Sequence, residues 1–191
     1  MQIQANNQIK VWDPLVRIFH WVLALSFFLA YLSEDDLLTL HVWAGYTLGA
    51  AIIVRLMWGF IGTEHARFKD FVTPPKEAWR YLKDTLAFKA RRYLGHNPAG
   101  GFMIVLMMVS LVITTVTGIA VYGAGEHAGP MASLFAGSGK SWEKFFEAVH
   151  EFFANLSMLL VFIHICGVAL ESLIHKENLV RSMINGLKRT N

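Results

Sequence analysis

The chain has 191 residues, 54% of them hydrophobic and 16% charged, with a mean hydropathy of +0.42. A soluble domain carries about a quarter charged residues, so the composition points to a membrane and excludes a disordered or collagen-like chain. The net charge of +3 is too mild for a nucleic-acid footprint, and the single cysteine, Cys166, excludes an internal disulfide, a Cys-rich zinc site, a four-cysteine iron–sulfur cluster and CxxCH haem attachment.

Four stretches reach the roughly 20 apolar residues that a helix needs to cross a bilayer. The first runs from 15 to 33 and stops at the acidic run Glu34, Asp35, Asp36. Bulky Tyr31 and Leu32 stand where a signal-peptidase site needs small residues, so this span reads as retained. The second, 37–61, has Arg55 as its one charge, and the third, 99–125, has none. The fourth has an apolar centre at Phe152–Leu170 within a helix placed at 146–172. The expected fold is all-α, an integral membrane four-helix bundle forming one domain over residues 1–191.

The connection 62–98 contains Pro74-Pro75 followed by Trp79, Leu82 and Leu86 on one helical stripe. It reads as an amphipathic helix near 75–88, either packed on the protein or lying at the membrane surface with Trp79 and Tyr81 among the headgroups. Basic residues concentrate in the N-terminus, this connection, the end of span two and the C-terminus; only Lys140 and Lys144 of the seventeen fall elsewhere. The positive-inside bias therefore places both termini in the cytoplasm. It also resolves the mild net charge into a basic inner side against anionic lipid and an acidic outer side, with seven acidic residues there against those two lysines.

Four of the eight histidines, His20, His41, His150 and His164, sit at membrane depth, where ionisable groups are costly and usually face a bundle interior. For any one of them, a neutral imidazole hydrogen-bonded to a neighbouring helix is the plain alternative. Their spacing argues further. His150 and His164 are fourteen residues apart, so they share a helix face at depths about 21 Å apart. Spans two and four run in the same direction, which sets His41 level with His150 near the outer face; span one runs oppositely, which sets His20 level with His164 nearer the inner face. Paired imidazoles without a third or fourth carboxylate or thiolate suit axial ligation of haem iron better than zinc or a di-iron centre. Two such pairs across a bilayer make an electron wire.

Gly45 and Gly49 lie on the His41 face, where small residues would admit a flat porphyrin, or simply allow close helix packing. Arg55, fourteen residues after His41, and Arg17, near His20, are candidates to neutralise haem propionates, with snorkelling to the headgroups as the alternative. His65, His96, His127 and His175 read as solvated, with His65 and His96 also possible proton-handling groups.

The pattern Trp12-Asp-Pro14, Arg17, His20-Trp21, then His41, Gly45-Tyr46, Arg55, Trp58-Gly59, then Thr117-Gly118, then His150-Glu151, Asn155, His164, Gly167 resembles the prokaryotic di-haem cytochrome b-561 family, which includes the cytochrome b subunit of nickel–iron hydrogenases. The resemblance covers essentially the whole chain. It implies two non-covalent b haems on histidines of the first, second and fourth spans, and a bacterial inner-membrane location. It further implies electron transfer between a periplasmic redox partner and the quinone pool. Hydrogenase subunits of this type tend to be longer, so a periplasmic c-type cytochrome or other soluble redox protein is the expected partner, beside a hydrogenase-like one and membrane lipid. A homodimer is compatible with the pattern. Alternatives are a stand-alone quinone reductase that oxidises superoxide or a cytochrome, and a histidine-lined metal or proton transporter; no span has the internal Asp or Glu expected of the latter.

Overall fold

The computed structural model describes residues 8–34 and 37–190; Asp35 and Asp36 of the acidic turn lie outside the described residues. The elements in order are β1 (Gln8–Lys10), α1 (Pro14–Ser33), α2 (Leu38–Ile61), α3 (Phe68–Phe71), α4 (Pro75–Leu86), α5 (Pro98–Gly125), α6 (Lys140–Ile174), α7 (Leu179–Asn185) and β2 (Leu187–Arg189), with short 3-10 turns at Glu64–Ala66 and Ala132–Phe135. Helices α1, α2, α5 and α6 are long and apolar enough to cross a membrane. Their outward residues suit lipid rather than water: on α6, Phe152, Leu159, Phe162 and Ile165 are all exposed. The helix α6 begins at Lys140, well before the expected 146, because Lys140–Glu151 continues the helical pattern with polar residues beyond the apolar centre.

Two compact units are built from these elements. One comprises residues 21–54 and 106–161. Its core is Phe27, Leu48, Ile52 and Leu111, with Leu23, Tyr31, Val112, Met158 and Val161 packed around it. Buried Ser110 and Ser157 share a hydroxyl hydrogen bond of 2.8 Å, as apolar surroundings favour, and at the surface Tyr31 donates to Asn155 Oδ1 at 2.8 Å.

The other unit comprises, among the described residues, 8–20, 55–105 and 162–190. Here β1 and β2 pair antiparallel, Ile9 opposite Lys188. Gly186 ends α7 with φ +82, and a Cβ there would stand 2.5 Å from the Trp12 carbonyl oxygen, so both backbone conformation and space call for glycine. Asp13 is the hub. Its Oδ1 accepts the Val16 N–H in the first turn of α1, while Oδ2 accepts Trp58 Nε1 at 3.1 Å and the Thr63 hydroxyl at 2.6 Å. Glu177 plays the same part at the other end of the chain, taking two hydrogen bonds from Arg92 and one from the Arg189 N–H.

The helix α4 turns opposite to one sequence expectation. Trp79, Leu82 and Leu86 are exposed together, as a surface-lying stripe should be, but Tyr81 is buried with Ala78 and Thr85. The reason is Glu171 of α6, which accepts hydrogen bonds from Tyr81 and Thr85 at 3.1 Å each and pairs with His175 at 3.2 Å. Burial and the nearby Glu171 carboxylate push the Tyr81 phenol pKa up.

Burial alone would raise the Asp13 pKa, but the bonds from Thr63, Val16 and Trp58 outweigh it and hold the carboxyl below its ordinary value. A depressed carboxylate stabilises the fold fully above the unfolded value of about 3.9, and that contribution disappears as pH falls through the lower folded value. Asp13→Ala should cost about 2 kcal/mol, from a lost helix cap and two donors left unmet. Thermal unfolding in detergent measures this, and the variant should lose less stability than the native chain below about pH 4.

Candidate functional site

His41 stands in the first turn of α2 and His150 on α6, and the structure brings their rings to a centroid separation of 6.0 Å with planes 75° apart. Each ring uses one nitrogen locally. His41 Nδ1 lies 2.9 Å from the Ala30 carbonyl oxygen and His150 Nδ1 lies 2.8 Å from that of Thr114. A carbonyl can only accept, so both Nδ1 atoms carry the proton and both Nε2 atoms are left as lone-pair donors. This is the arrangement that orients metal-binding imidazoles. Gly118 makes it possible at His150: a Cβ on Gly118 would stand 2.8 Å from His150 Cε1.

Beside these rings lies a cleft of about 80 Å³, lined mainly by apolar side chains with Phe27, Tyr31, Gly45 and Tyr122 among them. Gly45 has nothing within 4 Å of where a Cβ would point, so its face is open. Two metal–nitrogen bonds of about 2 Å each would take up some two-thirds of the ring separation, the half-rings accounting for the rest. Among the described residues no group of three His, Cys, Asp or Glu side chains converges on one point. The donor set therefore fits the two axial positions of a haem iron and not a closed tetrahedral ion.

The unit that holds Asp13 contains the second pair. His20 on α1 and His164 on α6 both belong to this unit and are both half-buried. Gly167, three residues after His164, has open space at its Cβ position. Arg55 is 94% buried, its guanidinium carbon 5.1–5.5 Å from the ring centres of Phe19, Phe68 and Phe71. Its Nη1 finds no hydrogen-bond partner among the described residues. Arg55 thus does not snorkel; it offers an unused donor inside the protein, which fits a carboxylate such as a haem propionate. Arg17 is tied differently, with Nη1 donating to the Ile184 carbonyl at the end of α7 while its buried Nε is unmatched.

Two of the histidines read as solvated from the sequence are not. His96 packs against Trp12 and Phe71, with ring centres 4.6 and 4.9 Å away. Burial, reinforced by the positive charges of Arg55 and Lys188, pushes its pKa down to about 3. His175 is largely covered by its pairing with Glu171. Lys188 is a further surprise: a lysine on a terminal strand that is 94% buried, its Nζ 5.6 Å from the Trp12 ring centre. Burial pulls its pKa down, partly offset by Glu177. No local pattern marks either His96 or Lys188, because both are enclosed by residues distant in the sequence. His65 keeps the surface role, bonded to Asp70 at 3.1 Å.

An apolar helical chain with paired, tautomer-locked imidazoles beside an apolar cleft belongs to the class of haem-binding membrane cytochromes. The model of the family described as prokaryotic cytochrome b561 matches residues 11–186, and the chain belongs to that family. It is similar to the probable Ni/Fe-hydrogenase B-type cytochrome subunit of Azotobacter chroococcum mcd 1, 26% identical over 97% of this chain and 90% of the relative. It is similar also to that of Rhizobium leguminosarum bv. viciae, 27% identical over 95% and 89%, and that of Rhodobacter capsulatus, 23% identical over 96% and 82%. No solved structure matches the chain. The family supports membrane electron transfer through b-type haem. The alignments run over 215 to 219 positions against a chain of 191 residues, so these subunits are longer than this chain, as the sequence reading expects.

Gly118→Val should drive His150 off the Thr114 carbonyl and weaken haem retention about 10- to 100-fold, the usual cost of losing a bond that orients a metal ligand. Gly45→Val places its Cβ in open space and should leave packing intact while still reducing bound haem. Haemochrome content of the two purified variants, beside their unfolding temperatures, checks both outcomes.

Proposed function

We propose that this chain is a four-helix-bundle cytochrome that carries electrons across a bacterial inner membrane, between a periplasmic redox protein and quinone in the bilayer. Two non-covalent b haems supply the one-electron chemistry. The observation that carries this reading is the pair of imidazoles with Nδ1 protons locked on backbone carbonyls and Nε2 atoms free.

The roles of the side chains follow. His41 and His150 would hold one haem, with Gly45 leaving space beside it and Gly118 leaving space for the His150 ring. His20 and His164 ligate the other, with Arg55 donating its unused Nη1 to a propionate oxygen and Arg17 holding α1 to the C-terminal segment. Both termini face the cytoplasm, where the basic side chains of α4, including Lys76, Arg80 and Lys83, meet anionic headgroups beside the exposed Trp79 and Leu86. The opposite side carries Glu126, Glu143, Glu147 and Glu151 near the His41/His150 site in sequence. Such an acidic surface favours a basic partner. The relatives are named as subunits associated with a Ni/Fe-hydrogenase, so a hydrogenase-like protein is the first partner class to test, with a c-type cytochrome second. Two single-electron transfers and two protons convert each quinone to quinol.

His164→Ala should remove one haem and leave the spectrum of the other unchanged, and His150→Ala should remove the complementary one. A variant that keeps two haems with native spectra would show the pairing to be wrong. Reduction by a soluble basic donor should slow at least severalfold between low and physiological ionic strength, as screening weakens steering; stopped-flow absorbance follows it, and a salt-independent rate would rule out the acidic docking surface.

A further inference from the structure

The Arg55 donor is not isolated. Its guanidinium lies against Phe71, Phe71 lies against the His96 ring, His96 also lies against Trp12, and Lys188 Nζ lies over Trp12. The row thus runs cation, ring, imidazole, ring, cation, assembled from α2, α3, the segment before α5, the segment before α1, and β2. Its polar groups are short of acceptors. Arg55 Nη1 and His96 Nδ1 are both buried and find no hydrogen-bond partner among the described residues. Lys188 has one long contact, 3.5 Å to the Tyr93 carbonyl. Neighbouring carboxylates are already committed: Asp13 to Val16, Trp58 and Thr63, and Glu177 to Arg92 and Arg189. Asp13 lies near Arg55, and Glu177 and Glu171 near Lys188, yet among the described residues neither buried cation is hydrogen-bonded to a carboxylate, a costly arrangement unless an anionic group completes the set.

We propose that Arg55, His96 and Lys188 form one carboxylate-binding pocket that holds the two propionates of the His20/His164 haem, with the C-terminal strand β2 delivering Lys188 as its closing cation. The inference rests on the proposed haem at His20 and His164, and it adds two residues and a terminal strand to that site. In this arrangement Arg55 takes one propionate and Lys188 the other, and His96 Nδ1 contributes a hydrogen bond. The aromatic rings exclude water and hold the cations in a low-dielectric environment where their attraction for carboxylate is strongest. Pairing β1 with β2 then has a purpose beyond tidying the termini: the register that sets Lys188 opposite Ile9 fixes its side chain over Trp12.

The test uses the full-length protein purified with its haems, with the His20/His164 component identified as the one missing from His164→Ala. Lys188→Met should lower the midpoint potential of that component, because an unneutralised propionate favours the oxidised iron, and should speed its loss to apomyoglobin several-fold. Lys188→Arg should restore both properties, and the other component should not change. Reconstitution with haem dimethyl ester, which has no carboxylates, should abolish the difference between Lys188→Met and the native chain. Should Lys188→Met fail to accumulate, the native chain decides alone: it should retain the ester several-fold less well than protohaem at this site. An unaltered potential and retention in Lys188→Met, an equal change with the ester, or an effect confined to binding of a quinone analogue would overturn the proposal. Absence of any haem from the native protein would instead overturn the reading on which it rests.

Discussion

The hydrogen bonds from His41 to Ala30 and from His150 to Thr114 are the constraint around which one unit is arranged. An imidazole in an apolar interior is costly unless its N–H is satisfied. Giving that N–H to a helix carbonyl satisfies it, fixes the tautomer and aims Nε2 away. The carbonyl must be reachable, however, and within a helix it is normally screened by the side chain four residues on. At Thr114 that residue is Gly118, so the imidazole comes in over bare backbone. One glycine thus links the backbone of α5 to the chemistry of α6.

The other unit solves a related problem with charge. Asp13 and Glu177 each collect several donors from segments far apart in the chain, and between them they tie the start of α1, the end of α2, the approach to α5 and β2 into a single frame. Buried carboxylates so fully satisfied act as fasteners rather than as reactive groups. Arg55 and Lys188 are held in the same frame without equivalent acceptors, and that asymmetry is what marks the region as a place where an anion belongs.

Much of this was legible in the sequence, for identifiable reasons. Four apolar stretches can only be helices in lipid, and the observed α1, α2 and α5 start within a residue of the expected positions. The His41/His150 proximity followed from helix direction and the fourteen-residue spacing, which are local quantities. What escaped depends on contacts between distant segments. Tyr81 looks like a headgroup residue until Glu171 is known to face it, and His96 looks solvated until Trp12 and Phe71 close over it. Lys188, two residues from the end of the described chain, has no local signal of burial. The early start of α6 escaped because a polar helical extension has no hydropathy signature.

The central claim is that the chain holds two b haems, each between two histidines. A haemochrome assay of the purified full-length protein, set against its protein concentration, tests this most directly when combined with a reduced-minus-oxidised spectrum. The account predicts two haem b per chain, both low-spin. A ratio of one, or a high-spin spectrum showing an open axial position, would contradict it.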